Sequence, residues 1–215
     1  MTLPAGSLPP MADAYLDLLE RVLTGVIIED PPIVTEEHKG FFRFLARSIY
    51  GEGDPSEAEM SRYQYSWREQ GLDTPSLAFT MIGLKRLRNF RELILRAIRE
   101  GVPGDILEAG VWRGGASILA RAVLRATNDP SRRVILADSF EGLPPPNPAF
   151  PQDSDSKLHE HRELAVSLDT VKANFAKFDL LDERFVFLKG WFRDTMPSAP
   201  VQRLAVLRLD GDLYE

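Results

Sequence analysis

The stretch DILEAGVWRGGASILARAVLRA, residues 105–126, decides the fold. Its first seven residues form a short apolar run of the kind found in buried parallel strands. Glycines follow, and the Ala- and Leu-rich residues 116–126 then predict a helix. A strand that leads through glycines into a helix is the opening unit of an α/β sheet.

Three further apolar runs follow along the chain: RVILADSF (133–140), RFVFLKGW (184–191) and RLAVLRL (203–209). Between the runs 133–140 and 184–191, apolar side chains from Leu164 to Phe178 recur at helical spacing. Short strands alternating with helices predict a doubly wound, parallel α/β sheet.

The residues before this sheet predict helices. Apolar stripes over 11–23 and 84–98 have the helical period, a shorter apolar segment at 41–49 also favours a helix, and 51–70 favours loop with broken helix. We therefore predict an N-terminal helical cap or lid over residues 1–100 and an α/β core over residues 101–215. Because the sequence stops just after the fourth strand, and further βα units need on the order of 60 residues, we expect the C-terminal part of the core to be missing.

Composition excludes several classes of protein. The 215 residues carry a formal charge of −6 and no cysteine, which excludes disulfides, thiolate metal sites and a cysteine nucleophile. No segment approaches the ~18 apolar residues of a membrane span, and the N-terminus is unlike a signal peptide. The sequence thus predicts a cytoplasmic protein without membrane partners, and its acidic balance argues against nucleic acid.

The turn after the first strand is a candidate ligand site. Glu108, Gly110, Gly114 and Gly115 close the strand and open the helix, where glycines permit close backbone approach and the helix N-terminus offers free N–H groups. The spacing is not GxGxxG, so a nucleoside fits better than a dinucleotide. The alternative is a plain tight β-to-α turn.

Acidic residues also end the second and fourth strands. Asp138 is placed to bind ribose hydroxyls, or else caps the following turn. Asp210 and Asp212, two apart past a strand end, suit a hard cation such as Mg²⁺, with one carboxylate left to take a proton. The Asp-x-Asp pattern is also common by chance.

A long Pro-rich loop, residues 144–161, is typical of a lid or binding loop. It carries His159 and His161. Either histidine could serve as a general base toward substrate near neutral pH, or both could be solvated surface residues.

The sequence resembles the macrocin O-methyltransferase family, class I S-adenosylmethionine-dependent enzymes that methylate sugar hydroxyls of glycosylated natural products such as macrolides and aminocoumarins. The resemblance rests on TMIGLKRLRN (80–89), GVPGDILEAGVWRGG (101–115), ADSFEGLP (137–144), FLKGWFRDTMP (187–197) and RLAVLRLDGDLYE (203–215). It implies a Rossmann-like methyltransferase sheet, S-adenosylmethionine and Mg²⁺ as cofactors, a small-molecule glycoside substrate and a homodimer.

The resemblance also implies roles for particular residues. Asp210 would be the first metal ligand and Asp212 the general base. The remaining positions would contact the cofactor: Glu108, Gly110 and Gly114 along its length, Asp138 and Ser139 at the ribose, Gly190 and Trp191 near the adenine, and Thr80 and Met81 over the methionine end.

One departure from the family pattern is evident. The family completes its metal site with an adjacent Asp pair at the end of the next strand, and no such pair follows Asp212. A catalytically incomplete, cofactor-binding remnant is therefore an alternative to the enzyme. An NAD-dependent oxidoreductase is a further alternative, disfavoured by the absent GxGxxG, and a nucleic-acid methyltransferase is disfavoured by the acidic charge.

Overall fold

The computed structural model describes residues 8–34 and 60–214, and its central feature is a parallel four-stranded sheet. The strands are β1 (Asp105–Ala109), β2 (Val134–Asp138), β3 (Phe185–Lys189) and β4 (Leu204–Leu209). Their spatial order is β3-β2-β1-β4, and every neighbouring pair is parallel. The predicted doubly wound α/β class is confirmed.

The strand order places a switch point beside β1. From β1 the chain moves outward through β2 to β3 and then returns to pair β4 on the opposite side of β1. In sheets of this kind ligands bind outside the carboxyl ends of the strands, where the order reverses. Both β1 and the first four residues of β2 are buried, as expected for strands covered on both faces.

Six α-helices accompany the sheet among the residues that the structure describes. They are α1 (Pro10–Leu23), α2 (Tyr65–Gln70), α3 (Gly83–Arg99), α4 (Gly115–Ala126), α5 (Leu168–Lys177) and α6 (Phe192–Thr195). The predicted helices at α1, α3 and α4 are confirmed. Helix α5 begins later than its apolar stripe indicated, because Ser167 caps it: the Ser167 Oγ accepts a hydrogen bond from the Thr170 N–H.

The predicted Pro-rich loop contains short local structure. Three 3₁₀ helices, Pro151–Asp153, Leu158–Glu160 and Arg162–Leu164, lie between β2 and α5. These single turns fit a proline-rich segment that cannot sustain an α-helix. The predicted helix at 41–49 lies outside the described residues, as does much of 51–70, whose described part contains α2.

The chain divides into two compact units, one formed by Met1–Asp17 with Asn89–Glu215 and the other by Leu18–Arg88. The predicted boundary at residue 100 stays a prediction. In the Leu18–Arg88 unit, the fully buried Arg68 binds the Asp73 carboxylate through Nε (2.9 Å) and Nη2 (2.8 Å). Its Nη1 donates to the Thr24 carbonyl at 2.7 Å, so the buried guanidinium is well paired.

Within residues 8–34 and 60–214, no helix is both long and apolar enough to cross a membrane.

Candidate functional site

An ion pair between β1 and β4 is the base of the candidate site. Glu108 and Arg208 are register partners on these parallel strands, so their side chains extend from the same face of the sheet. The Arg208 Nη1 donates to Glu108 Oε1 at 3.0 Å, while Nη2 donates to Asp210 Oδ2 at 2.6 Å. One guanidinium thus joins the acid of β1 to the acid that follows β4.

Glu108 is almost completely buried, with 2% of its surface exposed. Its second oxygen, Oε2, accepts a hydrogen bond of 2.5 Å from the Ser117 Oγ on α4. Burial raises the pKa of Glu108 to about 7, against the opposing influence of the Arg208 charge and the Ser117 hydrogen bond. The charges of Asp210 and Asp138 also raise the pKa of Glu108, by less than burial does.

The glycine turn after β1 requires glycine for two different reasons. At Gly110, with φ +82°, an added Cβ would lie 1.9 Å from the Asp210 carbonyl oxygen, so the two strand ends approach too closely for any side chain. At Gly114, with φ +88°, the Cβ would lie 2.8 Å from Phe175 Cε2. The turn therefore brings bare backbone to the carboxyl edge of the sheet.

Asp138 holds this turn against β2. Its Oδ2 accepts from the Val111 N–H and its Oδ1 from the Phe140 N–H, both at 2.7 Å. Ser139, next in the chain, donates from Oγ to the Gly142 carbonyl at 2.6 Å. Asp138 is therefore a turn cap, and because each carboxylate oxygen has two lone pairs, it can still accept from a ribose hydroxyl.

The acids after β4 lie on a tight turn. The Asp210 N–H donates to the Ala109 carbonyl at 2.9 Å, and the Leu213 N–H donates to the Gly211 carbonyl at 2.7 Å. With φ +61° at Asp212 between these last two residues, the segment is a γ-turn of the rare, strained kind. Desolvation and the Asp210 carboxylate raise the pKa of Asp212, opposed by Arg208.

The segment between β2 and α5, which contains the Pro-rich loop, is attached to this edge at two points. The Trp112 Nε1–H donates to the Glu163 carbonyl at 2.8 Å, and the Tyr214 N–H donates to both oxygens of the buried Asp153, at 3.1 and 2.9 Å. His161 Nδ1 lies 2.8 Å from Glu163 Oε1, and its side chain is only 11% exposed.

His159 differs from His161. Its Nε2 lies 3.8 Å from Glu160 Oε1, and its side chain is 29% exposed. The interpretation of both histidines as solvated surface therefore does not hold for His161.

The acidic residues Glu108, Asp138, Asp210 and Asp212 thus lie at or just after the carboxyl ends of β1, β2 and β4. A family model described as Macrocin-O-methyltransferase (TylF) matches residues 12–215. The chain belongs to this family. It is an O-methyltransferase, and the family match favours that activity over the dehydrogenase alternative.

Named relatives of this methyltransferase agree. It is 48% identical over 205 residues to 8-demethyl-8-(2,3-dimethoxy-alpha-L-rhamnosyl)-tetracenomycin-C 4'-O-methyltransferase of Streptomyces olivaceus, covering 94% of this chain and 70% of the relative. It is 44% identical to mycinamicin III 3''-O-methyltransferase of Micromonospora griseorubida, covering 94% and 73%. The solved structure of the O-methyltransferase NovP superposes with a TM-score of 0.80 at 43% identity, covering 94% of this chain and 74% of that chain.

Most of the predicted site residues lie at the carboxyl edge of the sheet. Those placed at the ends of β1, β2 and β4 or in the turns after them are Glu108, Gly110, Gly114, Asp138, Ser139, Asp210 and Asp212. Gly190 follows β3, and its N–H donates to the Asp138 carbonyl at 3.0 Å, with Trp191 next in the chain. Thr80 and Met81 belong to the Leu18–Arg88 unit, and their role over the cofactor stays a prediction.

Sequence reasoning missed three residues of this edge: Arg208, Ser117 and Asp153. Arg208 had one available signal, since it is an arginine two positions before Asp210 in an otherwise apolar strand. Such a position places both side chains on one face. Ser117 and Asp153 act through partners 9 and 61 residues away, and no local pattern marks them.

Proposed function

We propose that the chain transfers a methyl group from S-adenosylmethionine to a sugar hydroxyl of a glycosylated natural product, with Mg²⁺ at Asp210. The observation that carries the proposal is the meeting of the carboxyl ends of β1, β2 and β4 at the switch point of the sheet: Arg208 pairs with both Glu108 and Asp210, and Asp138 binds the turn after β1. An excess of carboxylates in one crevice favours cationic ligands, and S-adenosylmethionine carries a sulfonium and an ammonium group.

The printed names of the relatives support the substrate class. One is a methyltransferase of a rhamnosyl tetracenomycin, a second acts on mycinamicin III, and a third, 45% identical over 203 residues, is the demethyldecarbamoylnovobiocin O-methyltransferase of Streptomyces niveus. We infer that this chain likewise methylates a sugar on an antibiotic-type small molecule.

Each residue of the edge has a defined task in this proposal. Asp138 accepts hydrogen bonds from the ribose hydroxyls, and the glycine turn provides bare backbone for the methionine part. Asp212 takes the proton of the attacking sugar hydroxyl as the new O–CH₃ bond forms and the S–CH₃ bond breaks, leaving S-adenosylhomocysteine. The transfer also requires the oxygen, the methyl carbon and the sulfur to be aligned in line.

The carboxylate at the proposed metal position is a chemically suitable ligand for Mg²⁺. Carboxylate oxygens are the ligands that this hard cation prefers, and Asp210 would hold it. No group of three or more acidic or histidine side chains suited to a metal occurs within residues 8–34 and 60–214, so the proposal assigns one protein ligand, Asp210, among them. When bound, Mg²⁺ lowers the pKa of a hydroxyl that it contacts.

A methylation assay tests the proposed activity. Full-length protein is incubated with S-adenosylmethionine and a panel of deoxysugar glycosides, with Mg²⁺ and with a chelator, and products are identified by mass. We expect one glycoside class to gain a methyl group in the Mg²⁺ arm. Methylation of a non-sugar acceptor would contradict the substrate class, and equal rates with chelator would contradict the metal.

Calorimetry tests the cofactor separately. S-adenosylmethionine is expected to bind wild-type protein, and Asp138→Ala is expected to weaken binding roughly 10- to 100-fold because two hydroxyl contacts to a charged acceptor are lost. Arg96→Ala, which removes an exposed ion pair between Arg96 of α3 and Glu100, is the control. Equal affinities for wild type and Asp138→Ala would remove Asp138 from the cofactor site.

We also propose a homodimer. Helix α1 exposes Met11 at 84%, Leu18 at 55% and Tyr15 at 42%, a spacing that places them along one stripe of the helix. Light scattering of the purified protein tests this, and a monomer at micromolar concentration would refute it.

A further inference from the structure

We propose that Asp153 is a positioning residue for Asp212, holding the strained turn that aims the Asp212 carboxylate. This inference rests on the proposed function of Asp212 as the base. Asp153 lies in the Pro-rich loop, far from Asp212 in sequence, and nothing in its local pattern suggests a catalytic connection. The turn around Asp212 is held at both of its ends.

The turn itself is unfavourable. Asp212 has φ +61° and lies between Gly211, whose carbonyl accepts, and Leu213, whose N–H donates at 2.7 Å. A γ-turn with positive φ at a non-glycine residue is strained and persists only where the surroundings fix it. The surroundings of this turn therefore determine where the Asp212 carboxylate points.

The start of the turn is held by the sheet. The Asp210 N–H donates to the Ala109 carbonyl of β1 at 2.9 Å, and the Asp210 carboxylate pairs with Arg208. These contacts are continuous with the β1–β4 ladder. The first residue of the segment is thus fixed as firmly as the strand that precedes it.

The end of the turn is held by Asp153. Both of its carboxylate oxygens accept from the Tyr214 N–H, at 3.1 and 2.9 Å, and the residue is only 6% exposed. A charged acceptor in a buried position makes a stronger hydrogen bond than a neutral one. Asp153 therefore clamps the residue two positions after Asp212, opposite the clamp at Asp210.

The 3₁₀ helix Pro151–Asp153 makes this clamp rigid. Pro151 opens the helix with a fixed φ, and the Asp153 N–H donates to the Phe150 carbonyl at 3.0 Å. The carboxylate is thus presented from a pre-ordered loop. The segment between β2 and α5 also binds the glycine turn, through the hydrogen bond from Trp112 to Glu163, so one segment contacts both the glycine turn and the turn at Asp212.

Hydrogen exchange and kinetics together test the proposal on the full chain. In Asp153→Ala, we expect the Tyr214 and Leu213 amides to exchange on the order of 10-fold faster, since one reports the clamp and the other the γ-turn. With a glycoside that the wild type methylates, we expect kcat to fall roughly 10- to 100-fold, because small displacements of a reacting group are costly. The KM and the dissociation constant for S-adenosylmethionine should stay within about twofold.

Two further variants distinguish positioning from general damage. Asp153→Asn keeps an amide oxygen that can accept from Tyr214, so it should recover most of the lost kcat. Asp155→Ala removes an exposed carboxylate from the same loop and should match the wild type in exchange and kcat.

Three results would overturn the proposal. They are a normal kcat in Asp153→Ala, an Asn variant as slow as the Ala variant, and faster exchange at Tyr214 with unchanged exchange at Leu213. Failure of the proposed function has a different signature. A wild type that methylates no glycoside contradicts that function, while the Leu213 amide in Asp153→Ala still decides whether Asp153 fixes the turn.

Discussion

The two ends of the strands use the same residue types for different purposes. At the amino end of β1, the Asp105 carboxylate accepts from Arg133 Nη2 at 2.6 Å and from the Arg133 N–H at 2.8 Å. Arg133 Nη2 also donates to the Pro200 carbonyl at 2.8 Å. Here a carboxylate has its own guanidinium, and the contacts join three segments into a stable edge.

At the carboxyl end, Glu108 and Asp210 share the guanidinium of Arg208, Asp138 ends β2, Asp212 follows β4, and the backbone is strained. Positive φ occurs at Gly110, Trp112, Phe140 and Asp212, each within the turn that follows a strand. Unbalanced charge and strained backbone reduce stability and are characteristic of functional sites. The amino edge therefore pairs its charges and stabilises the sheet, while the carboxyl edge has the less stable arrangement that the proposed binding of a cationic ligand would use.

The strongest test of this contrast is Asp212→Asn. Asparagine tolerates positive φ, so the turn should be kept while the proton acceptor is lost. We expect kcat for methyl transfer to fall on the order of 10³-fold, with the dissociation constant for S-adenosylmethionine nearly unchanged. Steady-state kinetics and calorimetry measure the two quantities, and a variant that turned over normally would remove Asp212 from the mechanism.

The next effect concerns stability at Gly110. Because an added Cβ would lie 1.9 Å from the Asp210 carbonyl oxygen, we expect Gly110→Ala to lower the free energy of unfolding by about 3–4 kcal/mol. Gly101→Ala is the matched control: its φ is also positive, at +65°, but nothing lies within 4 Å of the added Cβ. Urea denaturation compares the two, and similar losses would show that close approach of the strands is unimportant.

A pH dependence should follow from Glu108. Its pKa is raised from 4.5 to about 7 in the folded state, so the folded state binds more protons than the unfolded state between these values. The free energy of unfolding should therefore decrease as pH rises from about 4.5 to about 7, by on the order of 3 kcal/mol from this group.

Urea denaturation across this pH range, for the wild type and Glu108→Gln, measures the Glu108 contribution as the difference between the two curves. The Gln variant should lose the decrease assigned to Glu108. Parallel curves for the two proteins would show that Glu108 is not the responsible group.

The smallest effect is expected at the amino edge. Asp105→Asn weakens the partly exposed pair with Arg133, and we expect the free energy of unfolding to fall by about 1 kcal/mol. Affinity for S-adenosylmethionine and kcat should not change. A marked loss of activity in this variant would end the distinction between the two edges.

The sequence predicted the sheet well because its signals are local. The apolar runs at 105–111 and 133–140 contain β1 and β2, and each run extends past its strand into the turn that carries the polar site residues. Glu108, Asp138 and Asp210 were recognised because they end apolar runs. Their convergence then follows from parallel topology alone.

The rest of the site depends on pairings that no short window contains. Asp153 contacts Tyr214 across 61 residues, and Arg208 contacts Glu108 across 100. The strained turn at Asp212 was also missed, because the DGDLY sequence permits several conformations and only the surrounding contacts select one. Long-range hydrogen bonds of this kind are fixed by the whole fold.

The hydrogen bond from Trp112 to the Glu163 carbonyl does not depend on the side chain at position 163. Every amino acid at position 163 supplies a main-chain oxygen, so this hydrogen bond can be kept when the residue at position 163 is substituted. Between that point and Asp153, the exposed loop positions are then open to change without detaching the segment. Residues 154–160 can therefore be exchanged among homologues while the segment keeps its attachments at Asp153 and at position 163.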